Sequence, residues 1–182
     1  MTAMPRNWKP GDRREPTDAM IRVDQAGEFG AIRIYAGQLA VLGDRHPASR
    51  AIHHMAVQEE RHRAFFDRMI VERGVRPTLL QPLWTVAGFA LGAVTAAIGP
   101  KAAMACTAAV ETEIDKHYQE QRDALGASDP ELSDAIADFQ AEELEHRDHA
   151  LGAGAEDAWG YPVLSTLIRL GTKAAIHAAK RI

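Results

Sequence analysis

The chain has 182 residues and a formal net charge of −4, a length that suits one domain with a sizeable core and a charge that speaks against nucleic acid as a partner. Its single cysteine, Cys106, excludes a disulfide framework or a thiolate metal site within one chain, and its apolar setting AMACTAAV is that of a small buried residue. Strand signals are scarce, with no alternating runs between hairpin turns and an aromatic fraction of 6%, so the pattern predicts an all-α chain.

Residues 1–16 mix proline with charges, lack the apolar centre of a secretory signal, and read as a mobile tail ahead of a single domain over 17–182. Thr17 or Asp18 caps a first helix that runs to Leu42 and stops at Gly43. Pro47 suits the first turn of a second helix ending before Gly74. A third helix begins near Pro82 and stops at Gly99-Pro100, and a fourth runs from Lys101 to Leu125, ended by Gly126. Asp129-Pro130 is a cap and first-turn pair for a fifth helix reaching Leu151, and a sixth runs from Pro162 almost to the end.

Two of these helices carry Glu-x-x-His, as Glu59/His62 and Glu143/His146. With 13 glutamates and 8 histidines in the chain, chance supplies less than one such pair, so the repeat demands a cause. Glu28 lies about 14 residues before the end of its helix, roughly 21 Å of rise, and Glu59 lies about 12 residues into the next, roughly 18 Å back. An antiparallel hairpin therefore sets Glu28 opposite Glu59 and His62. The second half repeats the arrangement with Glu111 opposite Glu143 and His146, and each lone glutamate is followed seven residues later by a tyrosine, Tyr35 or Tyr118.

Positions i and i+3 share a helix face, so each Glu-x-x-His aims a carboxylate and an imidazole the same way. Two hairpins packed as a four-helix bundle bring together four glutamates and two histidines, the ligand set of a ferritin-like di-metal carboxylate centre. Unsolvated carboxylates repel one another, and two divalent cations cancel four negative charges. Oxygen and imidazole donors without thiolate suit iron or manganese, and iron has the redox chemistry for dioxygen.

Nearby residues are expected elsewhere. Glu60, Glu113, Glu142 and Glu145 fall at other angles and are expected in solvent, and His53, His54 and His149 at the surface or in ordinary hydrogen bonds. Asp24, one turn before Glu28, either orients a ligand histidine from behind or lies at the surface.

The segment from Pro77 to Pro100 has no charged residue and contains Gly88 and Gly92 at a spacing that permits close helix contact. In the last helix Arg169, Lys173, His177 and Arg181 recur at four-residue steps, which suggests a helix on an anionic membrane surface. Together the third and sixth helices suggest a membrane-facing platform and a lipidic substrate.

The segments RVDQAGEFGAIRIYAGQLAVL, QEERH, PLWTVAGFALGA, GPKAAMACTAAVETEIDKHY and FQAEELEH resemble the 5-demethoxyubiquinone hydroxylases of ubiquinone biosynthesis, from Ile21 to the C-terminus. The resemblance implies a ferritin-like four-helix bundle of two pseudo-repeated hairpins plus two membrane-facing helices. It implies a monooxygenase that hydroxylates the ring of a demethoxyubiquinol (2-polyprenyl-3-methyl-6-methoxy-1,4-benzoquinol) with dioxygen. Two iron ions per chain would sit on Glu28, Glu59, His62, Glu111, Glu143 and His146, with His117 and Tyr118 positioning the quinone or relaying electrons. An external reductant is also implied, either NADH or reduced quinone, and relatives suggest a lipid-binding helper protein of the same pathway. The site is the membrane surface, on the cytoplasmic face in a bacterial-type protein, with the matrix side of the mitochondrial inner membrane as the alternative. This sequence departs from the family at Gln25, Thr112 and Lys116, none of them a ligand position. The competing activity is a ferritin-like ferroxidase, iron-storage protein or peroxidase.

Overall fold

The computed structural model describes residues 16–181, which form six α-helices and a short 3-10 turn with no strand among the described residues. The helices are α1 (Pro16–Leu42), α2 (Ser49–Arg73), α3 (Gln81–Ile98), α4 (Pro100–Leu125), α5 (Pro130–Gly152) and α6 (Tyr161–Ala179). The tail expected over residues 1–16 lies outside the described residues, except for Pro16, which opens α1. Thr17 and Asp18 consequently belong to the first turn of that helix instead of capping it.

Local chemistry accounts for the helix ends. Ser49 Oγ donates to the Gly43 carbonyl at 2.7 Å and the Ala48 N–H donates to His46 Nδ1 at 3.2 Å, which holds Pro47 in the turn before α2. Gly74 closes α2 at φ +64°, a conformation that a side chain disfavours, and its N–H donates to the Ile70 carbonyl. The Asp129 carboxylate accepts the Leu132 N–H at 3.3 Å and so caps α5. Arg73 at the end of α2 donates to that same carboxylate at 3.1 Å and ties the two hairpins together at one end.

Both hairpins are antiparallel, which the packing makes plain. Tyr35 near the end of α1 lies in one cluster with Ile52 and Met55 near the start of α2, while Ile21 near the start of α1 lies in another with Phe66 and Met69. The second hairpin contributes Met104 and Ala150 to the first cluster and Leu132 and Ile136 to the second. Removing an Ile or Phe side chain of this kind from water contributes about 1.5–3 kcal/mol. The polar residues singled out in the sequence lie between these two apolar layers.

The remaining helices lie outside the four. α3 packs along α1 at backbone contact: a Cβ on Gly92 would fall 1.9 Å from the Ile34 carbonyl oxygen, and one on Gly37 would fall 2.1 Å from that of Phe89. Gly37 is the partner that the Gly88/Gly92 spacing alone did not name. The outer face of α3 exposes Leu83, Val86, Val94 and Ile98, and α6 exposes Val163, Leu167 and Leu170.

α6 packs on α4 and α1 and changes two expectations. Arg169 donates to the Glu113 carboxylate at 2.6 Å, and Lys173 lies 3.5 Å from it. Glu113, expected in solvent, is therefore buried, because α6 covers that face of α4 and supplies its cations. Two of the four basic residues counted along α6 face the bundle.

Candidate metal centre

Each proposed ligand is held by a different part of a rigid frame. Glu28 comes from the middle of α1, Glu59 and His62 from α2, Glu111 from α4, and Glu143 and His146 from α5, and all six are buried. Their donor atoms form two groups, Glu28, Glu59, His62 and Glu143 in one and Glu59, Glu111, Glu143 and His146 in the other, with all atoms of a group within 4.8 Å of one another. Glu59 and Glu143 belong to both. Glu28 and His62 serve only one group, and Glu111 and His146 only the other.

The electrostatics are those of a site short of positive charge. Burial, reinforced by Glu143 and Glu28, pushes the Glu59 carboxyl well above its ordinary range, and burial with Glu143 does the same to Glu111. For Glu143 burial acts against the charge, but a hydrogen bond from His146 and the His62 ring 3.2 Å away outweigh it and bring the carboxyl down to about 2. Burial likewise opposes a charged His62, yet its contacts with Glu143 and Glu28 raise the ring to about 10. Both oxygens of Glu59 and Nδ1 of His62 are buried without a hydrogen-bond partner. An unsatisfied acceptor pair and an unsatisfied ring nitrogen facing shared carboxylates are what a metal ion would complete, and the donor set fits a hard or borderline divalent cation.

Nearby polar groups orient the carboxylates across the pseudo-repeat. Tyr35 on α1 donates to Glu111 Oε1 on α4 at 3.1 Å, and Tyr118 on α4 donates to Glu28 on α1. His117 does not touch a ligand. Its Nε2 lies 2.8 Å from Gln121 Nε2 and 3.4 Å from Asp24 Oδ1. Asp24 is buried and bonded to Gln121 at 2.7 Å, so it neither lies at the surface nor orients a ligand histidine.

The family described as ubiquinone biosynthesis protein COQ7 matches residues 15–179. The chain belongs to that family. Among its curated relatives, the 3-demethoxyubiquinol 3-hydroxylase of Rhodospirillum rubrum is 53% identical over 175 residues, 95% of this chain and 82% of its own length. The NADPH-dependent 3-demethoxyubiquinone 3-hydroxylase, mitochondrial, of Homo sapiens is 49% identical over 173 residues, 93% of this chain and 79% of its own. The 5-demethoxyubiquinone hydroxylase, mitochondrial, of Saccharomyces cerevisiae is 42% identical over 181 residues, 91% of this chain and 78% of its own.

Within this chain the three departures have local partners. Gln25 donates to Asp67 Oδ1 at 2.8 Å, Thr112 donates to the Ala108 carbonyl at 2.6 Å, and Lys116 donates to Glu113 at 3.0 Å. None reaches a proposed ligand.

Two residues escaped the sequence reading. Glu142, expected in solvent, lies with its Oε2 3.0 Å from His62 Nε2, because α5 packs across α2 at that height. Gln58 Oε1 lies 3.0 Å from His146 Nε2. Each immediately precedes the glutamate of one Glu-x-x-His and serves the histidine of the other, a shared offset that was the available signal. Glu60 and Glu145, by contrast, are exposed as expected, as are His53, His54 and His149.

An apolar groove of about 440 Å³ opens beside the centre between α1, α3, α4 and α6. Its lining includes Gly27 and Ala31, which lie before and after Glu28 in sequence, Val110 and Ile114, which lie before and after Glu111, and Leu91 and Ile168, but none of the six candidate ligands. Neither His117 nor Tyr118 lines it.

Proposed function

We propose that this chain, as one domain over residues 17–182, is the ring hydroxylase of ubiquinone biosynthesis, acting on a demethoxyubiquinol with dioxygen at a pair of iron ions. The observation that carries the reading is the union of a six-residue carboxylate and histidine cluster with an apolar groove built partly from the same stretches of α1 and α4 that carry Glu28 and Glu111.

Iron would be held by Glu28, His62 and the shared Glu59 and Glu143 on one side, and by Glu111, His146 and the same shared pair on the other. Bound there, iron supplies the dioxygen chemistry through which one oxygen atom enters the quinol ring and the other leaves as water, with two electrons from an external reductant. The chain's own residues do the rest. The groove binds the quinol by its apolar ring and tail and excludes water from the reacting edge. Tyr35 and Tyr118 hold Glu111 and Glu28 by hydrogen bonds, and Phe139, stacked on the His62 ring with centroids 4.1 Å apart, fixes its plane.

The exposed apolar faces of α3 and α6 are the surface by which the enzyme would lie on a membrane and admit a polyprenyl chain to the groove. α3 is long and apolar enough to span by length and composition, but its glycine-mediated packing on α1 supports a peripheral position. The cytoplasmic face is the side we assign, with the matrix side of the inner membrane as the mitochondrial counterpart. For the reductant we propose NADPH, which the names of the human and Dictyostelium discoideum relatives carry. A separate cleft of about 870 Å³, whose lining includes Arg50, His54, Lys101, His149 and Glu145, reaches Gln58 and His146 and would give a reductant a way in. His117 and Tyr118 would serve as relay residues between centre and solvent, and a lipid-binding protein of the pathway would deliver the substrate to the apolar face.

A ferroxidase or iron store has no use for the apolar groove, and this decides against that alternative. The test is iron content followed by product analysis with demethoxyubiquinol, reductant and oxygen. Two iron ions per chain and a hydroxylated product are expected, both lost in Glu59→Ala. Two iron ions with no product under any reductant would overturn the hydroxylase reading.

A further inference from the structure

We infer that Glu142 is a positioning residue that sets the direction of a hydrogen-bond chain joining both ligand histidines, and so fixes the ring nitrogen each presents to metal. The inference rests on the metal-centre reading above and concerns residues outside the ligand set.

The chain has four members in a row. His62 Nε2 lies 3.0 Å from Glu142 Oε2, Gln58 Nε2 lies 3.0 Å from the same oxygen, and Gln58 Oε1 lies 3.0 Å from His146 Nε2. Glu142 is also bonded to the Arg61 guanidinium through its other oxygen. A carboxylate with a guanidinium on one side has no proton to give and only accepts.

Its partners then have no freedom. His62 must donate from Nε2, so Nδ1, which faces Glu28, Glu59 and Glu143 at 3.5, 3.8 and 3.2 Å, is the nitrogen that gives up its proton when a metal binds. Gln58 must turn its amide nitrogen toward Glu142, so its carbonyl oxygen faces His146. His146 must in turn donate from Nε2, and its Nδ1 faces Glu59 and Glu143 at 3.3 and 3.1 Å. One acceptor thus sets two tautomers on two helices, although Glu142 touches only the first histidine. The arrangement is asymmetric: His62 is backed by a carboxylate and His146 by a neutral amide.

The two variants Glu142→Gln and Gln58→Leu separate this from a structural role. Glutamine at 142 keeps the shape but can present either an amide nitrogen or an oxygen, so the direction of the chain is lost. Leucine at 58 breaks the chain at its middle and leaves Glu142 with His62. The experiment is titration of the metal-free protein with Co²⁺, followed by visible absorption, with circular dichroism to check the fold and exposed Glu60→Gln as control.

Wild type is expected to bind two ions in resolvable steps. Glu142→Gln is expected to weaken both steps, by roughly 10- to 100-fold, and Gln58→Leu only one. Unchanged binding in Glu142→Gln, or weakening of a single step with the fold intact, overturns the inference. Should Glu142→Gln not fold, Gln58→Leu still decides: loss confined to one ion supports the chain, and equal loss of both or of neither overturns it. Failure of wild type to bind a second ion would instead overturn the metal-centre reading.

Discussion

Tyr118 of the second hairpin donates to Glu28 of the first, while Tyr35 of the first donates to Glu111 of the second. The two halves are thereby laced together at the level of the metal centre by the tyrosine that follows each lone glutamate. A hydrogen bond of this kind contributes about 0.5–1.5 kcal/mol between neutral groups and more once the carboxylate is charged, so each tyrosine matters for both fold and site. Tyr118→Phe and Tyr35→Phe are each expected to lower metal affinity by roughly tenfold or more and to lower the melting temperature. Calorimetry of the metal-free and loaded proteins checks both, and an unchanged affinity in either variant would remove the tyrosine from the site.

The metal-free protein should lose stability as pH rises. His62 titrates at about 10 in the fold against an ordinary 6.5, so its contribution is complete below 6.5 and is lost as pH climbs toward 10. Glu59 and Glu111 are raised above 4.5 and push the same way, since the folded state holds protons that the unfolded state has released. Glu143, brought down to about 2, acts oppositely: its contribution is present above 4.5 and disappears as pH falls toward 2. Metal displaces the protons from Glu59, Glu111 and His62, so binding should release protons and strengthen with pH. Melting curves from pH 6 to 10 with and without Co²⁺ should therefore diverge; parallel curves would contradict the assignment.

The groove can be filled without touching the ligands. Gly30 on α1 lines it and has nothing within 4 Å of where a Cβ would stand, and Gly171 on α6 is the same. Gly30→Leu and Gly171→Leu are expected to raise the KM for quinol by about tenfold or abolish turnover, with metal content unchanged. Turnover at the wild-type KM in both variants would move the quinol site elsewhere.

Gly92→Ala tests the seat of α3. The added carbon would lie 1.9 Å from the Ile34 carbonyl oxygen, and backbone cannot yield there as a flexible side chain would. A loss of about 1–3 kcal/mol is expected, read as a lower melting temperature together with faster amide exchange in α3. Full stability would mean that the two helices are not in backbone contact.

Glu113 is the anchor of α6. Hydrogen bonds from Arg169 and Lys116 outweigh its burial and keep the carboxyl below its usual range. Both cations are partly exposed, which limits the ion pairs to about 1 kcal/mol, so Glu113→Gln should loosen α6 without unfolding the bundle. Hydrogen exchange should quicken in α6 alone; exchange spreading through α1 and α2 would mean a wider role.

The number and order of the helices, and the spacing that pairs each lone glutamate with a Glu-x-x-His, were legible in the chain, whereas the cap expected at Thr17 or Asp18 was not, since α1 already opens at Pro16. The spacing was legible because helix rise is constant: the same offset from Gly43 and Gly126, and offsets from Pro47 and Pro130 that differ by one residue, put the corresponding residues near one height in both hairpins. The Gly88/Gly92 spacing likewise announced a close helix contact. What stands behind the ligands depends on how the helices pack. Glu142 and Glu113 both read as solvated acids, because a helix wheel shows the angle of a side chain but not which helix packs against it. Packing of α5 on α2 turned the first into the partner of His62, and packing of α6 on α4 buried the second among cations. The partner of Asp24 was undetermined for the same reason: His117 and Gln121 lie on a different helix, about ninety residues away in sequence, and only packing brings them to it.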